Sequence, residues 1–249
     1  MSNEFRCLAV YDWVGGFDFS LHPEILSSIA GEFEEGFRKV AYFPEGGEKE
    51  RKRTVSKNYS LQDILSSIEK YSSIEIDKIE GRDYSGIVAQ IRYRSGVPYK
   101  YYFAAKWVWN FSSSDSLSHL KTICRYIEPS YGMSLVGERF DALFFVGGVA
   151  TTNMDRETAF RATSLATSLR QTKEHLAGKM HDVYELNVLS PKHLERAVCG
   201  QPLWAWIGAG GRGELIRITD NVTAWLVPDD IRPGVRQTLF SDGALIATV

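Results

Sequence analysis

The sequence predicts an α+β protein in which helices pack on a mixed, largely antiparallel sheet. Residues 73–111 alternate between polar and apolar and hold many aromatic and β-branched side chains, with breaks at Gly81 and Gly96. This pattern is typical of an antiparallel meander of about three strands. Apolar stripes of helical period lie on both sides of it. Because no linker, low-complexity tract or repeat interrupts the chain, we expect one domain over residues 1–249, with a split near residue 112 as the alternative.

The composition is that of a globular protein with a sizeable core. The 249 residues are 44% hydrophobic and 24% charged. With a formal net charge of −2, the chain as a whole is not suited to holding a polyanion, so we expect no direct contact with nucleic acid. No apolar run approaches the roughly 20 residues of a membrane span. Cys7, Cys124 and Cys199 are odd in number and far apart, and no signal peptide is recognisable, which predicts free thiols and a cytoplasmic location.

The elements of the first half follow from local signals. Residues 7–14, CLAVYDWV, predict a strand, and the apolar period after Pro23 predicts a helix. Residues 44–58 are polar and broken by glycine, which predicts an exposed loop. Its basic residues are interspersed with glutamates, so a solvated loop is favoured over a nucleic-acid patch. Ser60 and Asp63 then predict the capped start of a short helix.

The second half predicts helices and strands in alternation. The predicted elements are a helix at 115–127, a strand at 141–146, a long helix at 154–177 that Gly178 ends, a strand at 183–189, a short helix begun by Ser190 and Pro191, and a last helix from about Pro233. Thr152 or Asn153 is expected to cap the long helix.

Three glycines, Gly208, Gly210 and Gly213, have the G-x-G-x-x-G spacing of a dinucleotide-binding loop. That loop requires a strand before it and a helix after it, so that the helix N-terminus faces a phosphate. The residues before Gly208 read as a strand, but those after Gly213, ELIRIT, are β-branched and lack a helical stripe. A flexible hairpin connection is therefore favoured over a cofactor site, and no cofactor is predicted.

Two pairs of tryptophans share the spacing of residues on one face of a strand. They are Trp107 with Trp109 and Trp204 with Trp206. Such pairs are more often part of a core than of a ligand cage.

No metal or catalytic motif stands out. The five histidines form no zinc-binding spacing, so no metal is predicted and we expect them to face solvent. An enzyme with an acid–base site stays open as an alternative, with Glu185, His181 and Asp182 as candidates. A small-molecule sensor with an apolar pocket near the tryptophan pairs is a second alternative.

An acidic surface is the clearest candidate for binding. In SIEIDKIE, Glu75, Asp77 and Glu80 are interspersed with isoleucines, and Asp83 follows. One face of this strand is expected to join the core, while the other offers negative charge to a basic partner. An ordinary solvated strand face is the alternative.

The overall pattern resembles the immunity proteins of polymorphic and type VI secreted toxins, especially α+β families encoded beside nuclease toxins of the restriction-endonuclease fold. The segments that carry the resemblance are the first strand with Trp13, YGMSLVGERFDALFFVGG, VYELNVLSPKHLERAVCGQPLWAWI and TAWLVPDDIRPGVRQTLFSDGALIA.

The resemblance implies a cytoplasmic inhibitor rather than an enzyme. Such a protein binds its cognate toxin, here a DNase effector, as a one-to-one heterodimer, with no direct contact to nucleic acid or membrane. The residues expected to bind the toxin are Glu75, Asp77, Glu80, Asp83 and Trp13.

Overall fold

A computed structural model of the chain describes residues 5–13, 38–44, 49–68, 71–80, 83–94, 97–107, 113–137 and 155–246. The strands are β1 (Phe5–Trp13), β2 (Lys39–Pro44), β3 (Arg51–Thr54), β4 (Tyr71–Glu80), β5 (Asp83–Arg94), β6 (Val97–Trp107), β7 (Pro129–Gly137), β8 (Leu186–Leu189), β9 (Ala197–Val198), β10 (Gln201–Pro202), β11 (Glu214–Arg217) and β12 (Thr223–Leu226). The α-helices are α1 (Leu61–Ser66), α2 (Ser113–Ile123), α3 (Arg156–Thr167), α4 (Pro191–Leu194), α5 (Leu203–Ala209) and α6 (Arg232–Ser241). The predicted helix after Pro23, the predicted strand at 141–146 and Trp109 lie outside the described residues.

Ten of the strands form one sheet in the order β11-β12-β8-β7-β1-β6-β5-β4-β2-β3, while β9 and β10 form a separate hairpin. Every neighbouring pair in the large sheet runs antiparallel. The predicted α+β fold and the meander of three strands, β4 to β6, are thus confirmed. Strand β1 lies between β6 and β7, so strands from both sides of residue 112 pair with it. Whether the chain forms one domain stays a prediction.

The sheet is buried on both faces around β1. Cys7, Ala9 and Tyr11 join one buried cluster, and Leu8 and Val10 join the other. Because successive residues of a strand point to opposite faces, burial on both sides explains the nearly continuous apolar run of this strand. Helices α1 and α2 pack on the face of Leu8, and α3, α5 and α6 pack on the face of Tyr11. The centre of the sheet is therefore the middle one of three layers.

Helix α1 begins at the predicted cap. The Asp63 N–H donates to Ser60 Oγ at 3.0 Å, and the Ser60 N–H donates to Asp63 Oδ2 at 2.9 Å. This reciprocal pair satisfies two main-chain donors at the helix start. Ile64 and Leu65 are buried on the inner face of the helix, as the sequence predicts.

The later helices also begin near their predicted signals. Ser190 and Pro191 begin α4, and Pro233 lies at the start of α6. The prediction of Thr152 or Asn153 as the cap of α3 is wrong, because the cap is Asp155, whose carboxylate accepts a hydrogen bond from the Thr158 N–H. The predicted long helix does not stay α-helical to its end.

After α3 the chain forms a short π-helix at Ser168–Thr172 and a short 3-10 helix at Glu174–Ala177, which we call the π-turn and the 3-10 turn. Between the two turns Lys173 has a left-handed backbone, with φ 54°. Gly178, with φ 86°, ends the segment as predicted, because glycine adopts this conformation without a steric penalty.

The prediction of a loop over residues 44–58 is wrong for its middle, because Arg51–Thr54 form β3 at the edge of the sheet. All four residues of β3 are exposed. The strand therefore has no apolar alternation from which it could be predicted, and its place follows from main-chain pairing with β2.

The prediction of a strand before the glycine motif is also wrong, because these residues form α5. Leu203, Trp206 and Ile207 have the i, i+3, i+4 spacing of a helix face and are buried. Trp204 lies off that face and is 49% exposed. The residues after Gly213 form β11, as predicted, so a strand follows the glycine motif.

Gly132 is a position where the sheet has no room for a side chain. A Cβ there would lie 2.6 Å from the Ala9 carbonyl oxygen and 2.9 Å from Val188 Cγ2. We expect Gly132→Ala to lower the free energy of unfolding by about 1–3 kcal/mol, because the strands must move apart. Gly208→Ala is the matched control, because nothing lies within 4 Å of its added methyl group.

Urea unfolding of both variants measures this difference. The control is expected to match the parent protein or exceed it by up to about 1 kcal/mol, since alanine favours a helix over glycine. Equal stability of Gly132→Ala and the parent would contradict the close approach of β7 to β1 and β8.

Candidate functional site

The four acidic residues predicted to bind the toxin lie on one hairpin, formed by β4 and β5. Glu75 pairs with Ala41 of β2, and Asp77 pairs with Lys39. Glu80 and Asp83 are opposite each other at the end of the hairpin. The register is continuous from Ser73 to Glu80, so Glu80 lies an odd number of positions from Asp77 and on the other face of the strand.

Trp13 lies at the opposite end of the sheet from this hairpin end. It pairs with Pro129 of β7, whereas Phe5, at the other end of β1, pairs with Trp107 of β6. The hairpin end adjoins the Trp107 end of β6, because Ser85 pairs with Lys106. The separation along the strands is therefore on the order of 25 Å. The structure places the four acidic positions on one hairpin, with Glu75 and Asp77 on one face and Glu80 and Asp83 on the other, and it does not bring Trp13 to them. Their role in binding stays a prediction.

A buried carboxylate organises the face of the sheet that carries α3 and α6. Asp182 is 0% exposed. Its Oδ2 lies 2.5 Å from Nη2 of Arg161, on α3, and its Oδ1 lies 2.7 Å from Nε of Arg236, on α6. The Val183 N–H also donates to Oδ1, at 2.8 Å. Two guanidinium groups thus balance one buried charge, which is the arrangement that a buried carboxylate requires.

His181, the neighbour of this carboxylate, is fully buried and bonded on both ring nitrogens. Nε2 donates to the Arg161 carbonyl oxygen at 3.0 Å, and the Tyr184 hydroxyl donates to Nδ1 at 2.7 Å. Its main-chain N–H donates to the Tyr131 hydroxyl oxygen at 2.8 Å. Burial lowers the pKa of His181 to about 4, with the Asp182 charge opposing the shift. A neutral ring satisfies all these bonds.

Tyr131 stands in a column of stacked rings between β1 and α4. Its ring centroid lies 6.0 Å from that of Tyr11 and 5.4 Å from that of His193, with interplanar angles of 21° and 18°. His193 Nδ1 accepts a hydrogen bond from the Ser190 N–H at 3.2 Å, which places the ring proton of the neutral form on Nε2. Burial, and next the charge of His175, lower the pKa of His193 to about 3.

Ser168, His175 and Asp12 are joined in the order of a serine-hydrolase triad. The Asp12 Oδ2 lies 2.7 Å from His175 Nε2, and His175 Nδ1 lies 3.4 Å from Ser168 Oγ. Lys173 Nζ lies 3.6 Å from the same Asp12 oxygen. Ser168 and His175 are each 1% exposed, so a substrate cannot reach the hydroxyl. The geometry instead ties the end of β1 to the π-turn.

Asp12 and Lys173 both have a left-handed backbone, with φ values of 41° and 54°. Such backbone costs on the order of 1 kcal/mol for a residue other than glycine, so surrounding contacts must hold it. The ion pairs of Asp12 with Lys173 and His175 are contacts of that kind.

Of the candidates of the acid–base alternative, His181 and Asp182 are buried and Glu185 is partly buried. His181 and Asp182 have the partners given above, and Glu185 accepts a hydrogen bond from Ser134 Oγ at 3.1 Å. The prediction that the histidines face solvent is wrong for His175, His181 and His193, which are buried. For His175 the sequence carries no signal of burial, because its carboxylate partner Asp12 lies 163 residues away. His181 and His193 have partners three residues away, but their burial comes from elements distant in the sequence.

An open cleft of about 530 Å³ lies between the 3-10 turn, α4 and β9. Its lining is Ala177, Lys192, Glu195, Arg196 and Ala197. It includes no tryptophan, so it is not the apolar pocket that the sensor alternative expects. Within the described part of the chain, no group of three or more potential metal-binding side chains occurs, and no helix is long and apolar enough to cross a membrane.

The architecture is similar to that of a solved structure, the Pseudomonas aeruginosa type VI secretion system (T6SS) protein PA0821. The superposition covers 97% of this chain and 73% of that protein, with a TM-score of 0.57 and 11% identical residues. At this identity the likeness establishes a shared fold. No protein-family model matches the chain, and no curated protein matches it.

Replacing the buried carboxylate tests its role in stability. We expect Asp182→Asn to lower the free energy of unfolding by up to about 3–5 kcal/mol, because it removes the buried counter-charge of two guanidinium groups whose side chains are only 25% exposed. Asp220→Asn is the control, since its ion pair with Arg217 joins side chains that are 91% and 71% exposed. The control is expected to change stability by less than about 0.5 kcal/mol. Thermal and urea unfolding measure both, and comparable losses would contradict the role given to Asp182.

The buried histidines predict a loss of stability between neutral and mildly acidic pH. An unfolded chain protonates both rings below about pH 6.5, whereas the folded protein keeps His181 neutral down to about pH 4 and His193 down to about pH 3. Unfolding therefore takes up protons, and stability falls as the pH falls through this window. We expect a slope of up to about 1.4 kcal/mol per pH unit for each histidine.

Urea unfolding at several values between pH 7 and pH 5 measures this slope. His193→Gln keeps an acceptor for the Ser190 N–H but cannot be protonated. The variant is therefore expected to lose the part of the pH dependence of stability that comes from His193. A free energy of unfolding that stays constant from pH 7 to pH 5 would show that these rings are not buried in the neutral form.

Proposed function

We propose that this protein is an immunity protein of a type VI secretion system, which binds and neutralises an antibacterial toxin in the cytoplasm of the cell that makes it. The observation that carries the proposal is the fold shared with a T6SS protein along 97% of the chain. The resemblance of the sequence to immunity proteins supports the same function. We further propose that the toxin is a nuclease and that the complex is a one-to-one heterodimer.

Such an inhibitor has to leave almost no free toxin, which requires a dissociation constant in the nanomolar range or below, about −12 kcal/mol. A surface that is already ordered before binding loses less entropy on association. The doubly covered sheet and the internal ion pairs of Asp182 support a rigid framework for such a surface. Inhibition then requires only that the bound protein covers the toxin's active cleft or blocks a movement that the toxin needs.

The acidic hairpin fits a nuclease as partner. A nuclease binds the phosphates of DNA through basic side chains, and the hairpin carries negative charge that would attract such a surface, from Glu75 and Asp77 on one face and from Glu80 and Asp83 at its end on the other. Opposite charges of this kind raise the rate of encounter and make it depend on salt concentration.

Co-purification of the tagged protein with the product of the adjacent gene tests the proposal. We expect a one-to-one complex that abolishes DNA cleavage by that product. A neighbour that remains free, or one that still cleaves DNA in the presence of a molar excess of this protein, would refute the proposed function.

Charge reversal on the hairpin tests how the toxin is recognised. We expect Asp77→Lys with Glu80→Lys to slow association with the toxin on the order of tenfold at low salt. Asp220→Lys with Asp230→Lys makes the same change of charge at exposed positions elsewhere and serves as the control. Surface plasmon resonance at two salt concentrations measures both, and equal effects would remove the hairpin from the interface.

A further inference from the structure

The edge of the sheet at β2 and β3 carries a concentrated positive charge. Seven basic side chains lie in residues 38–44 and 49–59, all of them exposed, against one acidic side chain, Glu50, which lies 2.9 Å from Lys52. The intervening residues 45–48 add Glu45 and Glu48, so basic residues outnumber acidic ones by seven to three over residues 38–59. The seven are Arg38, Lys39, Lys49, Arg51, Lys52, Arg53 and Lys57, and we call them the basic ribbon. The whole chain has a net charge of −2, so this concentration is local.

Strand β3 is the last strand at this end of the described sheet. It pairs with β2 in regular antiparallel register, in which Lys39 is opposite Thr54 and Val40 is opposite Arg53. The Val55 N–H donates to the Arg38 carbonyl oxygen in the same register, at 2.8 Å. Hydrogen-bonded and non-hydrogen-bonded pairs alternate along an antiparallel ladder. The N–H and C=O of Thr54 therefore point away from β2, toward the side of β3 on which the described strands include no neighbour.

A strand edge with unpaired main-chain groups can pair with an additional strand, and the charged residues on that edge determine which strands bind to it. One or two lysines are enough to repel a neutral or basic strand, but the basic ribbon holds many more. Arg51 and Arg53 can each bind a carboxylate through two parallel hydrogen bonds. The ribbon therefore fits a polypeptide that carries acidic side chains in an extended conformation.

Nucleic acid fits the same surface less well. Single-stranded nucleic acid is bound where basic grooves also offer aromatic rings for stacking, and the sequence of β3, RKRT, has none. Tyr59 is exposed beyond the strand and provides one ring. A strand edge, by contrast, offers main-chain groups that only another polypeptide can match along its length.

We propose that the β3 edge is a docking site for an acidic, extended segment of the toxin, which adds to the sheet as a further strand beside the basic ribbon. This inference rests on the proposed function, because it takes the toxin as the occupant. The proposed docking site lies one strand away from the acidic hairpin, since β2 lies between β3 and β4.

Binding of a model strand tests the charge of the edge. The probe is a fluorescent peptide of about ten alternating glutamate and valine residues, compared with a lysine–valine peptide and with an oligodeoxythymidylate. We expect the acidic peptide alone to bind, and to bind more weakly as salt is added. Replacing Arg51, Arg53 and Lys57 with Glu is expected to weaken its binding by at least about tenfold.

The matched control replaces Lys121, Arg156 and Lys192 with Glu, which changes the charge equally at exposed positions on helices. It is expected to bind the acidic peptide like the parent. Equal losses in both triple variants, absence of peptide binding, or equally tight binding of the oligodeoxythymidylate would each overturn the proposal.

Hydrogen exchange tests whether the peptide adds as a strand. We expect the Thr54 amide to exchange at least about tenfold more slowly when the acidic peptide is bound, because its N–H gains an acceptor. Thr54→Pro removes that donor at an edge position that tolerates proline, and it is expected to weaken peptide binding, whereas Thr54→Ala is not. Unchanged exchange at Thr54 in the presence of saturating peptide would overturn strand addition.

The same variants separate this inference from the proposed function. If the variant with Glu at positions 51, 53 and 57 neutralises the toxin as effectively as the parent protein does, the docking site is overturned and the proposed function stays intact. An acidic peptide that docks at β3, together with an adjacent-gene product that the parent does not bind, would refute the immunity function but not the chemistry of the edge.

Discussion

The carboxylate of Asp182 has no exposed surface, so its charge must be balanced inside the protein. Arg161 comes from α3 and Arg236 from α6, and both bind it directly. One buried charge therefore fixes two helices relative to the segment that leads into β8. Because two guanidinium groups meet at one carboxylate, the positions of α3 and α6 depend on each other. Loss of the carboxylate would leave both guanidinium groups without their counter-charge.

The rest of this face follows from that fixed segment. His181 and Tyr184 lie beside Asp182 and are bonded to each other, and the His181 N–H reaches Tyr131 on β7. Tyr131 then stacks between Tyr11 and His193, which connects β1 to α4. Hydrogen bonds and stacked rings thus connect α3, β7, β1 and α4 through the interior of this face. The connection is not fully hydrogen-bonded, because His193 Nε2 is buried without a hydrogen-bond partner among the described residues.

The sequence predicts those elements that are stabilised by interactions between residues close together in the chain. The capping pair of Ser60 and Asp63 and the Ser190–Pro191 start of α4 were read correctly, because the interacting atoms lie within three residues. Strand β3 was missed because pairing across the sheet, and not side-chain burial, makes it a strand. The buried state of His175 was missed for a related reason, since its carboxylate partner is 163 residues away. The role of the acidic positions on β4 stays a prediction, and their register against β2 could not be predicted from the sequence, because the two strands are not joined by a short turn.

That register constrains how a partner can approach. Lys39 of β2 is opposite Asp77 of β4, so one basic and one acidic position face each other across this strand pair. Opposite charges directly across a strand pair stabilise it. The basic strand β3 and the acidic positions of β4 lie on either side of β2. A partner that offers charges in the matching order is attracted in one orientation and repelled when it is reversed. Discrimination between related partners then depends on the order of charges as much as on their number, because a mismatch places like charges together.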